Sequence, residues 1–113
     1  MVPSEGIYRG VYNIIRDSGD TLNSGVVYLA LWESSLTFQV VGDSLTGIPA
    51  NHSGSYLVDD ATKMHFWSNT AVSPPNNANH YLDTTYNYVF TGDSLAFWYQ
   101  EDTTRYDYNL IRN

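Results

Sequence analysis

Cysteine is missing from all 113 residues. Its absence removes disulfides, thiol nucleophiles, cysteine-held zinc and iron–sulfur clusters. Cations are almost as scarce: Arg9, Arg16, Lys63, Arg105 and Arg112 stand against twelve Asp and Glu, for a formal net charge of −7. So few cations cannot neutralise a run of phosphates, which argues against a nucleic-acid partner and against electrostatic attachment to an anionic membrane. No apolar run approaches the roughly 20 residues of a membrane helix, so no transmembrane segment is expected. Helical periodicity is missing too: no stretch of a dozen residues carries an i, i+3, i+4 apolar stripe. Charged residues make up only 15% and hydrophobic ones 42%, a balance that excludes a disordered chain.

What the sequence does have is aromatic side chains in quantity, with ten Tyr, three Trp and four Phe. Tyr and Trp suit strands, where the ring lies on a half-buried pleated surface and the polar tip reaches water. Abundant Tyr, Thr, Ser and Asn beside very little Lys point to an exported protein, periplasmic, at the cell surface or secreted. Met1-Val2-Pro3-Ser4 reads as a start placed on an already trimmed mature chain.

The dominant period is two. Residues 1–113 form one domain on the grounds of length, with about eight strand candidates separated by turn residues. The first spans Gly6 to Arg16, with Tyr8, Gly10, Tyr12 and Ile14 on one face. The second spans Leu22 to Glu33 through Val27, Leu29 and Leu31, and the third carries Leu36, Phe38 and Val40 inward. His52 to Val58 and Lys63 to Ser68 form a pair across a turn at Asp59-Asp60, with Met64 and Phe66 on one face. Residues 69–79, with two prolines and four Asn, make a long loop. A long strand from Tyr81 to Thr91 follows, then one through Leu95, Phe97 and Tyr99. Glu101-Asp102 turns into a last strand with Tyr106, Tyr108, Leu110 and Arg112 on one face. Short connections make sequence neighbours into spatial neighbours. The fold class expected is all-β, an antiparallel up-and-down meander that hides its edges by closing into a barrel; a two-sheet sandwich is the alternative.

The loudest motif is Gly-Asp-Ser-Leu, present at Gly42 to Leu45 and again at Gly92 to Leu95. A large family of esterases carries its nucleophile in this string. Here it sits in hairpin turns, occurs twice, and lacks a downstream Asp-x-x-His, since the last histidine is His80. The reading adopted is structural: Gly-Asp makes the turn, Ser a local hydrogen bond, and Leu the first core residue of the next strand. His52, His65 and His80 show no i, i+2 or i, i+4 spacing, so no metal set is assembled. Asp59-Asp60 falls short of the oxygens that calcium needs. Asn51-His52-Ser53 matches the glycosylation sequon, which arises often by chance. No catalytic residue, metal or cofactor is assigned.

The rings carry the functional expectation. Tyr12, Tyr86, Tyr88, Phe90, Phe97, Tyr99, Tyr106 and Tyr108 fall on inward faces and should converge. They either fill the barrel or line a cavity for a small hydrophobic or amphipathic ligand, water-accessible near Tyr86, Tyr88 and Tyr106. Trp32, Trp67 and Trp98 fall on the opposite face, where they could form a contact patch.

Gly6-Ile7-Tyr8 at the start of the first strand and Arg112 at the end of the last resemble the lipocalin arrangement. There a Gly-x-Trp closes one end of the barrel under an Arg from the final strand; Tyr8 stands in the Trp position. Gly-Asp-Ser-Leu hairpins and the closing Tyr106-Asp107-Tyr108-Asn109-Leu110 are also similar to small bacterial lipocalin-like (calycin) domains. The resemblance implies a barrel with Arg112 within about 6 Å of the Tyr8 ring, and a non-enzymatic exported binding module. The alternative is a structural or protein-interaction domain with a filled barrel and an aromatic outer patch. Oligomeric state is not written in the sequence.

Overall fold

The computed structural model describes residues 3, 5–16, 18–43, 45, 49, 51–59, 62–69, 81–101 and 103–112. Eight strands run in order: β1 (Gly6–Arg16), β2 (Thr21–Trp32), β3 (Thr37–Val41), β4 (His52–Val58), β5 (Lys63–Ser68), β6 (Thr85–Thr91), β7 (Ser94–Glu101) and β8 (Thr104–Arg112). Each pairs antiparallel with the next, and β8 pairs with β1, so the sheet is a closed up-and-down barrel. No helix occurs among the described residues. The expected meander and closure are both present. Residues 70–79 of the expected long loop, His80 after it, and Asp17, Ser44, Asp60 and Asp102 from the expected turns lie outside the described residues.

Closure depends on β1 and β8, which match from Tyr8↔Arg112 to Arg16↔Thr104. Gly10 lies inside this seam. A Cβ at that position would stand 1.9 Å from the Asn109 carbonyl oxygen, so only glycine allows the two backbones to approach this closely. The inward faces of the strands then supply one continuous core, from Tyr8 and Tyr12 through Val27, Leu29, Leu31, Phe38 and Val40 to Phe97, Tyr108 and Leu110.

Three local expectations need correction. Leu36 does not join Phe38 and Val40 on the core face. It ends the β2–β3 turn, exposed, with a left-handed φ of 52°, a conformation that closes the turn at some steric cost to a non-glycine residue. The strand expected from Tyr81 begins only at Thr85. Before it, the Leu82 N–H donates to His52 Nε2 at 2.8 Å instead of to a ladder partner. The Asp83 carboxylate accepts from the Ser68 N–H at 2.9 Å, and the Thr84 carbonyl from the Phe66 N–H at 3.0 Å. These contacts close the β5–β6 seam, where only Lys63, Met64 and His65 find strand partners.

The third correction concerns the repeated tetrapeptide. Leu95 is the second residue of β7 and a core residue, as expected. Leu45 is 93% exposed and lies in a turn rather than a strand. Ser44 lies outside the described residues, and in both copies the Asp makes bonds. Asp43 accepts from the Leu45 N–H at 2.8 Å and from the Val26 N–H of β2 at 3.1 Å. Asp93 pairs with Arg112 of β8 at 3.1 Å.

Candidate functional site

Inside the barrel the rings converge. Tyr12 stacks on Tyr108 at 4.6 Å, and Tyr108 stacks on Phe97 at 4.5 Å. Tyr86 stands edge-on to Phe97 at 5.4 Å and to Phe66 at 5.6 Å, and Phe90 meets Tyr8 at 6.3 Å. Of the residues singled out in the sequence, Tyr12, Tyr86, Tyr88, Phe90, Phe97 and Tyr108 are buried. Tyr99 and Tyr106 are half-buried and stack on each other at 6.1 Å. Phe38, Tyr56 and Phe66 belong to the same cluster. Phe38 and Phe66 carried the inward alternation signal, but their convergence with the β6–β8 rings depends on barrel closure. Of the three rings expected beside a water-accessible space, Tyr86 and Tyr88 are each 2% exposed and Tyr106 is half-buried.

Burial shows in the phenol acidities. Desolvation pushes the Tyr12, Tyr86 and Tyr108 hydroxyls far above the ordinary phenol value, and neighbouring Tyr groups add to the effect. Tyr56, desolvated and near Glu33, is pushed up to about 12. Among the described residues the buried Tyr108 hydroxyl has no hydrogen-bond partner. Such an orphan costs about 1–3 kcal/mol, so ring packing outweighs hydroxyl satisfaction at this spot.

The other candidates have structural partners. His52 is buried against Phe38 at 5.6 Å and Tyr81 at 4.9 Å, and its Nε2 accepts the Leu82 N–H. His65 bonds Thr85 through Nδ1 and its ring lies 4.3 Å from Trp67. Asn51 of the sequon accepts from the Gly42 N–H at 2.7 Å. Arg112 is the register partner of Tyr8, while the lipocalin resemblance implies its guanidinium against the Tyr8 ring. Its guanidinium nevertheless turns to Asp93 and, at 3.3 Å, to the Glu5 carbonyl, while its stem lies over Gly6. A carboxylate and a carbonyl within reach satisfy the fork better than a ring face. The cation–π pairs among the described residues are Arg9 with Tyr28 and Arg105 with Trp98.

The outer wall divides into two regions. One is polar. The cross-strand row Lys63–Asn87–Trp98–Asp107–Asn13 runs from β5 round to β1. Asp107 in this row is only 8% exposed. Burial raises its carboxyl pKa, against the opposing pull of Arg105 at 3.5 Å and a hydrogen bond from Asn13. The three Trp do not form one patch. Trp98 is half-buried beside Arg105, whereas Trp32 and Trp67 are exposed ends of a separate row through Thr37 and Ser55.

The second region is apolar and open. One row runs Ser94–Ile111–Arg9–Tyr28–Val41 and the next Val89–Ala96–Asn109–Val11–Val26. Ile7, Val11, Val26, Tyr28, Val41, Val89 and Ile111 are all substantially exposed. Three shallow concavities follow these rows. One of about 350 Å³ lies between Ile7, Tyr28, Trp32 and Val41; one of about 380 Å³ between Arg9, Val11, Val26 and Ile111; and one of about 320 Å³ between Val89, Ala96 and Ile111. None of the three opens into the ring cluster.

Fold and surface together define a class: an eight-stranded, closed, up-and-down β-barrel with an aromatic interior and one open apolar wall. No protein-family model, curated protein or solved structure matches the chain.

Proposed function

We propose that this protein is a non-enzymatic interaction module whose barrel is filled and whose working surface is the apolar wall of β1, β2 and β8. The observation that carries the reading is the contrast in packing. The stacked Tyr12, Tyr108 and Phe97 rings occupy the interior, while the concavities lie outside. Contiguous exposed apolar surface on a soluble barrel marks a contact site. A membrane barrel is built the other way round, polar within and apolar around its whole girth; here the row through Lys63, Asn87 and Asp107 is polar on the outside. The proposal includes export, supported by the Tyr-, Thr- and Ser-rich, Lys-poor composition. It includes the lipocalin resemblance at the level of layout, supported by the Tyr8↔Arg112 register.

The rival reading, a carrier of a small hydrophobic ligand, requires the rings to part. Titration with a fluorescent fatty acid separates the two. The filled-barrel reading expects no saturable binding, and no response from Tyr88→Ala. Saturable binding that Tyr88→Ala weakens would overturn it in favour of the carrier.

A further inference from the structure

At the centre of the apolar wall sits a single charge, Arg9. Its guanidinium carbon stands 5.7 Å from the Tyr28 ring centroid. Among the described residues Arg9 has no ion pair, whereas Arg105 is paired with Asp107 and Arg112 with Asp93. This is notable in a chain with twelve carboxylates and five Lys and Arg. The carboxylates seen nearest this wall are engaged away from Arg9: Asp43, against Val26 in the next row, accepts from the Val26 and Leu45 N–H groups, and Asp107, two rows away, pairs with Arg105. The position thus combines an unpaired guanidinium, a ring that steadies it, and apolar concavities on both sides.

The charge pattern selects the occupant. A guanidinium offers a planar fork of donors matched to a carboxylate. The pair strengthens when apolar side chains around it exclude water, and Arg and Tyr at the middle of a contact surface carry much of its binding energy. A second copy of this chain fits poorly. Two-fold pairing of the wall with itself would bring Arg9 towards Arg9 and join two chains of net charge −7. We propose that this wall docks a different protein through an apolar segment bearing one Asp or Glu. The carboxylate meets Arg9, and the flanking apolar side chains enter the two concavities beside it. The inference rests on the interaction-module reading and goes beyond it by naming the partner chemistry.

The test uses a soluble amphipathic peptide whose apolar face carries one central Glu among Leu and Ile, with Gln and Lys versions as controls. Each is titrated into the isotope-labelled full chain and followed by NMR. Shifts should gather at Ile7, Val11, Tyr28 and Ile111. The Glu peptide should bind on the order of ten-fold tighter than the Gln peptide, as a covered charge pair predicts, and the Lys peptide weakest. Arg9→Gln, an exposed change, should erase the preference without moving the melting temperature. Equal affinity for Glu and Gln peptides overturns the carboxylate partner and leaves the interaction reading standing. Shifts confined to other walls, or none with any peptide, overturn docking here. A dimer in sedimentation that Arg9→Gln disturbs assigns the wall to a second copy instead. Shifts at Tyr86 and Phe97 would mean entry into the barrel, and the underlying reading would fail with the inference.

Discussion

Strand β1 carries two sets of large side chains that differ only in parity. Tyr8 and Tyr12 point inward and expose nothing, whereas Ile7 and Val11, each one residue away, stand on the outer wall, 54% and 40% exposed. The same split runs through β8, where Tyr108 and Leu110 are core and Ile111 is open to solvent. Burial of apolar area drives folding, so the inner set holds the barrel together and the outer set does little for it. Residues that do little for stability yet form contiguous concavities are better explained by contact with something else. The difference between the two faces of one strand therefore separates what folds the protein from what it would use.

Mutations should make that separation measurable, and the largest effect belongs inside. Phe97 lies between Phe66, Tyr86 and Tyr108 with no exposure. Phe97→Ala should cost about 3–5 kcal/mol in denaturant unfolding, a large part of the stability of a domain this size. A loss under about 1 kcal/mol would mean that the interior is loosely packed.

Alkali should act on the same set. The buried phenols hold their protons more tightly in the folded chain than in the unfolded one, where they ionise near the ordinary value of about 10. Their stabilising contribution is therefore complete below about pH 10 and falls away as pH rises through the folded values, about 12 for Tyr56 and higher for Tyr12 and Tyr86. Tyrosinate absorbance from the interior should appear together with loss of the strand circular-dichroism signal. Full ionisation with the strands intact would show that these hydroxyls reach water.

Tyr108→Phe tests the orphan hydroxyl alone. Removing an unsatisfied buried group while keeping the ring should raise stability by about 1 kcal/mol; a comparable loss would reveal a hydrogen bond to an internal water. The smallest effect belongs outside. Ile111→Thr, at a position 62% exposed, should change stability by no more than about 0.5 kcal/mol. A change of core magnitude there would remove the distinction between the two faces.

Alternation made much of this legible before any coordinates. The inward sets of β1, β2 and β5–β8 followed from period two, and short turns gave the strand order. What stayed hidden depends on partners distant in sequence. Leu45 and Leu95 share one local string, yet Leu95 lies within β7 and is core, whereas Leu45 lies in a turn and is exposed. Nothing near Leu82 announces that His52, thirty residues earlier, takes its N–H and delays β6. The position of Arg112 opposite Tyr8 was readable, but the Asp93 carboxylate that draws its guanidinium away was not. The wall around Arg9 is more remote still, because it joins residues of β1, β2, β3 and β8 whose adjacency exists only once the registers are set.

Closure of the sheet by its first and last strands also governs how the molecule is made. β1 can pair with β2 early, but its other edge stays bare until Thr104–Arg112 has been synthesised and has found it. Contacts that span nearly the whole chain form slowly, because a long loop must close before they are rewarded. During that interval β1 and β7 each present an unpaired strand edge, the kind of surface on which nascent chains aggregate. A chain cut short within β8 would remain in that state, with two open edges and an aromatic interior exposed to water.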